Sequence, residues 1–413
     1  MNRIPLKDIS LVINSGLTPL RSNPEFWLNG NISWVKTEQL GEKFIYDSNE
    51  KITKYALENT SIKLNPRNTL SIAMYGEGKT RGSVSILKNE TTTNQACCNI
   101  VVDKIKADFE FVYYNLKTQY NNLRNLSSGV RKNLNSNDIK NFEIFLPSLP
   151  TQKQIAKVLS DLDSKIEVNN KINQELEAMA KKLYDYWFVQ FDFPDKNGKP
   201  YRFSGGKMVF NEALKREIPD GWEVRELGDI SEIKRGKLVT AKTADLEGKY
   251  KVVSAGIDYS YLHSKYNRKK NTITVSGSGA NAGYINFWRE PIFANDCSTV
   301  RGKTDEETLV FLQFLKLRQD YILSQARGSA QPHVYPKDIA VLKIAITNNN
   351  LCEDYGKMVV PSNEIITNNL KQNQKLSELR DWLLPMLMNG QVTVGEAEEQ
   401  LGMVAEAGEK YGA

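Results

Sequence analysis

Two stretches decide the reading of this chain: residues 68–82, NTLSIAMYGEGKTRG, and residues 271–283, NTITVSGSGANAG. Each enters on Asn-Thr, runs through strand-forming residues and ends in spaced glycines. These are Gly76, Gly78 and Gly82 in the first and Gly277, Gly279 and Gly283 in the second. Such a pattern predicts a strand followed by a turn that needs positive φ, where backbone can approach a partner closely.

Moving outward, Arg67 matches Lys270, Asn94 matches Asn295 and Gly129 matches Gly328. Asp138-Ile139 returns as Asp338-Ile339, Asn169-Asn170 as Asn368-Asn369, and Leu183 as Leu383. An ordered series at a separation of about 200 residues implies duplication, and that period is far longer than a solenoid repeat. Each copy is a domain plus an appendage. Gly and Pro punctuation between strand formers points to a compact, mixed and β-rich globule in each.

The appendage is helical. After Pro147 and Pro150, Thr151 stands three residues before Gln154 as in a capping box. Apolar residues then fall three and four apart: Ile155, Leu159, Leu162, Ile166, Ile172, Leu176, Met179, Leu183 and Trp187. This predicts a helix of about 36 residues, roughly 54 Å long. The second copy runs Ile366, Asn369, Asn373, Leu376, Leu379, Leu383 and Met386, its seam interrupted by asparagines as Asn169 and Asn173 interrupt the first. A polar Asn on an apolar seam fixes register at some cost in stability. The expected partner of each helix is the other, antiparallel, with a globule at either end; a helix packed on its own globule is the alternative. Pro361 is expected to kink or restart the second helix, at the place where the first has Leu162.

Composition bounds the function. A chain of 413 residues exceeds one usual core, so two or more domains are expected. Its 40% hydrophobic and 25% charged residues are ordinary for a folded protein, and no apolar run is long enough to cross a bilayer. The opening MNRIPLKDIS lacks the apolar core of a secretory signal, and Cys97, Cys98, Cys297 and Cys352 form no C-x-x-C pair. A cytoplasmic protein with reduced thiols and no zinc finger is expected. The net charge is +6, and the tail from Gln391 is acidic, with Glu396, Glu398, Glu399, Glu406 and Glu409 against Lys410. The body is therefore more basic than the whole, which permits a phosphate-binding face.

Catalytic signatures are absent or broken. Only His263 and His333 are available, too few for a histidine metal cluster, and neither lies in a relay motif. Gly78-Lys79-Thr80 ends like a phosphate-binding loop, but the earlier glycine position holds Ala73 and the second copy reads Gly279-Ala280-Asn281. Asp220 followed by Glu232 and Lys234 resembles a nuclease signature that could hold magnesium. The same residues also read as a turn into the second globule.

In layout and motifs the chain resembles the specificity subunit of type I restriction-modification systems over nearly its whole length. Leu149-Pro150-x-Gln152-x-Gln154-Ile155-Ala156-x-Val158-Leu159, Ile218-Pro219-x-Gly221-Trp222, Gly328-Ser-x-Gln331-x-x-Val334 and Leu383-Leu384-Pro385-x-Leu387-x-x-Gly390 carry the likeness. The resemblance implies an α+β protein of two mixed, β-rich target-recognition globules separated by a pair of long antiparallel helices, a coiled coil with pseudo-twofold duplication. The expected order is target-recognition domain 1 over 1–150, spacer helix 1 over 151–190, a linker over 191–220, target-recognition domain 2 over 221–350, spacer helix 2 over 351–390 and an acidic tail over 391–413.

By the same resemblance the chain is a non-catalytic subunit. It would read a bipartite double-stranded DNA target, with helix length acting as a ruler, and dock adenine-methyltransferase subunits that bring S-adenosylmethionine. Separate restriction and translocase subunits would use ATP and magnesium. A magnesium-dependent nuclease built on Asp220, Glu232 and Lys234, or a DNA-free helical scaffold, are the competing readings.

Base readout needs Arg, Lys, Asn or Gln on loops that enter a groove, whereas phosphate contacts only set position. The candidates are Lys79, Arg81, Asn94, Arg131 and Lys132 in the first copy, and Arg268, Lys269, Lys270, Asn281, Arg327, Gln331 and His333 in the second. For helix pairing they are Leu159, Leu162, Ile166, Ile172, Leu176 and Leu183 against Ile366, Leu376, Leu379 and Leu383.

Overall fold

A computed structural model describes residues 3–76, 78–126, 133–245, 247–326, 332–347, 350–397 and 399. The chain divides into two compact units: Met1–Glu167 with Gln372–Ala413, and Val168–Lys371. The division cuts through both long helices, so each unit owns one stretch of each helix.

The first unit runs β1 (Arg3–Pro5), β2 (Ser10–Ser15), β3 (Ile32–Val35), β4 (Phe44–Ile45), β5 (Glu50–Ile52), α1 (Lys54–Asn59), β6 (Thr69–Ala73), β7 (Val84–Leu87), β8 (Thr92–Thr93) and β9 (Cys97–Val102). Helices α2 (Phe109–Thr118), α3 (Tyr120–Asn125) and α4 (Ser136–Lys140) follow, then β10 (Glu143–Phe145) and the long α5 (Leu149–Tyr184). The second runs β11 (Met208–Asn211), β12 (Arg216–Pro219), β13 (Glu223–Glu226), α6 (Leu227–Ile230), β14 (Glu232–Arg235), β15 (Tyr250–Val253), β16 (Tyr261–His263), β17 (Thr272–Ser276), β18 (Ile285–Trp288), β19 (Phe293–Ala294) and β20 (Cys297–Arg301). It closes with α7 (Asp305–Leu317), α8 (Gln319–Ser324), α9 (Pro336–Ala340), β21 (Lys343–Ile346) and α10 (Leu351–Met388).

The duplication is visible in the sheets, apart from β4, an edge strand of the first main sheet without a counterpart in the second. The main sheets are ordered β2-β9-β6-β7-β4 and β14-β20-β17-β18, the smaller sheets β5-β3-β8 and β16-β15-β19, and ribbons β1-β10 and β13-β21 close each unit. Both central strands, β6 and β17, are buried along their whole length. Their alternating hydroxyls survive burial because they are paired: Ser71 donates to Asn99 Oδ1 at 2.9 Å, and Thr274 accepts from Trp288 Nε1 at 2.9 Å. Each strand is entered through an asparagine in the left-handed region, Asn68 at φ 66° and Asn271 at φ 57°. Asn tolerates that conformation better than most residues, which explains why the same Asn-Thr pair opens both stretches.

The structure corrects the start of α5. The helix begins at Leu149, and the residue ahead of it, Ser148, holds the Thr151 hydroxyl at 2.8 Å; Thr151 lies inside the first turn. Pro150 fits there because no intrahelical N–H is needed in the first turn. Gln152 is buried; its side chain donates to Pro147 O and accepts from Asp108 N, tying α5 to the start of α2.

The helices pair antiparallel. In the second unit Asn369 Nδ2 donates to Asn173 Oδ1 at 2.8 Å and Tyr355 donates to Ala180 O at 3.0 Å. In the first, Asp163 meets Arg380, and Leu159 and Leu162 share a core with Leu383, Leu384 and Leu387. The seam keeps its expected asparagines but loses two of its expected apolar members. Asn169 and Asn173 point inward, whereas Ile172 and Met179 are exposed, because helical periodicity rather than apolarity sets the buried face.

Pro361 does not restart α10, which is one helix from Leu351 to Met388. Alignment of the buried pairs Ile155 with Tyr355 and Leu159 with Val359 makes Asp161, not Leu162, the repeat equivalent of Pro361. That position is exposed in both helices, so water can hydrate the carbonyl that the ring displaces. The stretch expected as a linker is folded: β11 and β12 form a hairpin, and Phe193 stacks on Tyr201 and Trp222 at 4.8 and 5.4 Å. Among the described residues no helix is long and apolar enough to cross a membrane.

Candidate nucleic-acid interface

In each unit one end of the main sheet faces the helices. Asn363 of α10 reaches Asn271 at the start of β17, and Tyr46, just after β4, donates to Glu167 of α5. The opposite, far end is where β2, β6, β14 and β17 finish and β9 and β20 begin. Four segments meet there in each copy.

In the first unit they are residues 16–31, the glycine loop 74–83, the turn 94–96 and the segment entering α4. Leu134 N donates to Met74 O, and Ser15 and Ser136 share a hydroxyl bond of 2.7 Å. In the second they are residues 236–249, the loop 277–284, the turn 295–296 and residues 332–335. Gly279 N donates to Pro332 O and Val334 N to Gly277 O, each at 3.0 Å. Gly78 at φ 58° and Gly279 at φ 75° sit at the loop tips with open space where a Cβ would be. They leave room for a partner backbone or base edge to come close.

One shared feature carries no signal in the repeat pattern. Gly16 and Gly236 cross directly over the neighbouring chain: an added Cβ would lie 2.2 Å from Thr93 O and 1.9 Å from Asn295 O. Both donate to the first residue of the adjoining strand, Gly16 to Cys97 O and Gly236 to Cys297 O. The segments they launch carry Arg21, Lys237 and Lys242, none of which the sequence singles out. Their spacing departs from the common period, which hides the match.

Of the expected reading residues, Lys79 and Arg81 lie on the first glycine loop, with Lys79 exposed and its carbonyl accepting from Tyr120 at 2.7 Å. Tyr120 also accepts from Arg124 at 2.6 Å, which adds two residues that the sequence does not suggest. Asn94 holds its own turn through Ala96 N. Arg21 lies 3.8 Å from the Trp27 ring and pairs with Glu50. Arg21, with Lys36, holds the Glu50 carboxyl down at about 2.

In the second unit Asn281 occupies the loop, and the His333 ring stacks on Tyr335 at 5.9 Å. Arg131, Lys132, Arg327 and Gln331 lie outside the described residues. Lys269 and Lys270 precede β17 on the helix side, whereas the Arg268 side chain reaches the carbonyl of Arg235 at the end of β14. The Arg268 guanidinium is committed to Thr299 Oγ1, Asn267 O and Arg235 O at 2.8–2.9 Å.

Of the expected pairing residues, Leu159, Leu162, Ile366, Leu376 and Leu383 are buried, and Ile166, Leu176, Leu183 and Leu379 are half-buried. Ile172 is 41% exposed.

The candidate nuclease residues each have a surface ion-pair partner. Asp220 pairs with Lys207 at 3.0 Å, whereas Glu232 pairs with Lys234. Among the described residues no three His, Cys, Asp or Glu side chains are grouped to hold a metal ion. Gly78-Lys79-Thr80 sits in a strand-to-strand turn, not at the helix start that a phosphate-binding loop requires. Burial pushes the thiols of Cys97, Cys98 and Cys297 up to about 12, which keeps them neutral.

Residues 1–178 and 219–350 match the family model described as type I restriction modification DNA specificity domain. The chain is 30% identical over 416 residues to the type I restriction enzyme MjaIX specificity subunit of Methanocaldococcus jannaschii, covering 95% of this chain and 93% of that one. It is 23% identical over 335 residues to the HindI specificity subunit of Haemophilus influenzae, covering 64% of this chain and 72% of that one. In fold it is similar to the crystal structure of a type I restriction-modification S subunit from M. genitalium, with a TM-score of 0.59, 21% identity and coverage of 94% and 95%.

Proposed function

The chain belongs to the type I restriction modification DNA specificity family, and from that premise we propose that it reads a split duplex target, one half-site for each unit, while its long helices carry modification subunits. DNA-target recognition is the family's role, and a specificity subunit contributes recognition rather than catalysis.

The observation that carries the bipartite reading is the repeated far end. The same four segments meet there in both copies, yet they present Arg21, Lys79 and Arg81 in one and Asn281, His333 and Tyr335 in the other. One framework with two side-chain sets is what reading two different sequences requires.

Docking of further subunits is supported by apolar side chains left outside the helix seam. Met179, Tyr186 and Met358 are each about half or more exposed and, with Leu183 and Val359, line an apolar groove of about 320 Å³. The expected partners are adenine-methyltransferase subunits carrying S-adenosylmethionine, with ATP-driven translocase subunits beyond them. At 36 residues, α5 is about 54 Å long, a length that suits a fixed gap between half-sites.

The reading is tested by selecting bound duplexes from a random pool with the chain and its co-purified modification subunit. Two conserved blocks separated by a gap of fixed length and free sequence are expected. A single uninterrupted block would refute the split target.

A further inference from the structure

The second unit carries an open cleft of about 740 Å³ beside the start of β17, at the helix side of its main sheet. Its walls come from the start of β14, the end of β20 and the residues before β17. Lys234, Arg268, Lys269, Arg301 and Lys303 line it against only Asp229 and Glu232. Lys234 is matched by Glu232, and Arg301 by Asp305 at 2.7 Å. Lys269 and Lys303 are exposed. Arg268 spends three of its five N–H donors on the protein frame, so its guanidinium plane is fixed with two donors left.

The same place in the first unit has none of this charge. Asn65 makes the backbone bond to Thr91 O that Arg268 makes to Ile292 O, so Asn65 stands for Arg268. The register pairs Leu70 with Ile100 and Ile273 with Val300, so Val101 stands for Arg301 and Asp103 for Lys303. Beside them Leu11 and Val12 are 65% and 45% exposed.

We propose that this cleft binds phosphodiester groups of duplex DNA, giving the second unit a backbone anchor that the first lacks. A fixed guanidinium flanked by two long, exposed lysines suits anionic oxygens along a strand, and contacts of that kind set position rather than read bases. The inference rests on the DNA-recognition reading and adds an asymmetry to it: affinity and its salt dependence are weighted towards one half of the protein.

The test uses the full chain and a mixed-sequence duplex, with binding followed against sodium chloride concentration. Each phosphate contact contributes about 0.9 to the slope of log affinity against log salt, so Lys269→Gln with Lys303→Gln should lower the slope by about 2. Lys269→Arg with Lys303→Arg should restore it. The double Gln variant should select the same bases as the wild type. An unchanged slope in a variant that still selects its target overturns the cleft alone. Wild-type binding that ignores salt overturns the recognition reading and the cleft with it. Calorimetry with inorganic phosphate separates a second source of the same chemistry: binding to the wild type that the Gln variant loses, with the DNA slope unaltered, would assign the cleft to free phosphate and refute the backbone anchor.

Discussion

The two units share their sheet order except for the edge strand β4 of the first, but they fasten to their helix stretches by different chemistry. In the first, Asp163 of α5 takes Arg380 Nη1 at 2.7 Å, the Tyr114 hydroxyl and Lys43 Nζ at 3.3 Å, and Lys43 also meets Glu110. In the second, Asn363 occupies the matching helix position and accepts from Arg289 at 2.9 Å, while the weight shifts to rings. Tyr355 is fully buried among Tyr184, Trp187 and Phe188. Duplication has kept most of what the backbone needs, the strand order and the turns, and has let the glue diverge: the first unit centres on a buried carboxylate, the second on buried rings beside an Arg289–Glu177 ion pair at 2.9 Å. An apolar or aromatic contact tolerates such change, whereas a buried charge holds its partners in place.

That contrast can be broken most strongly at Tyr355. Tyr355→Ala removes a buried ring with its hydroxyl bond and should cost about 3–5 kcal/mol, read as a lower melting temperature. Hydrogen exchange should show amides of the second unit losing protection first, and equal loss in both units would sink the idea of separate fastenings.

Asp163→Ala should cost about 3 kcal/mol, because Lys43 and Arg380 would face each other without their shared carboxylate. Burial alone would raise the Asp163 pKa, but Lys43, the Tyr114 hydroxyl and Arg380 together hold it below the ordinary range. A depressed carboxyl stabilises above its unfolded value of about 3.9 and stops doing so as pH falls through its folded value. Acidification should therefore loosen the first unit by this route, which Asn363 denies the second, and Asp163→Asn should flatten that pH dependence. A dependence unchanged in Asp163→Asn would assign it to other groups.

The smallest expected effect sharpens the comparison of the helices. Pro361→Ala restores one helical hydrogen bond on an exposed face and should stabilise by about 1 kcal/mol, less than the intrinsic propensity gap of about 3. Destabilisation would mean that the ring is needed where Asp161 serves in α5.

The sequence reveals most where local backbone demands fix residue type. Asn68 and Asn271, with the glycines after them, mark left-handed positions that few residues tolerate, so the duplication is legible in the residues themselves. The 36-residue length of α5 is legible from its period. What stays hidden depends on distant pairing. Nothing near Arg268 in sequence announces that Thr299 and Arg235 will claim its guanidinium, and nothing near Ile172 says that its side chain will face out of the seam. Gly16 and Gly236 escape notice because insertions between them and the next landmarks differ in length.

The central claim is that each copy reads its own half of a target. Asn281→Ala with His333→Ala alters only the far end of the second unit, so duplex selection with that variant tests the claim directly. One conserved block should degenerate while the other block and the gap between them stay as in the wild type. Loss of both blocks, or of neither, would contradict two independent readers on a duplicated frame.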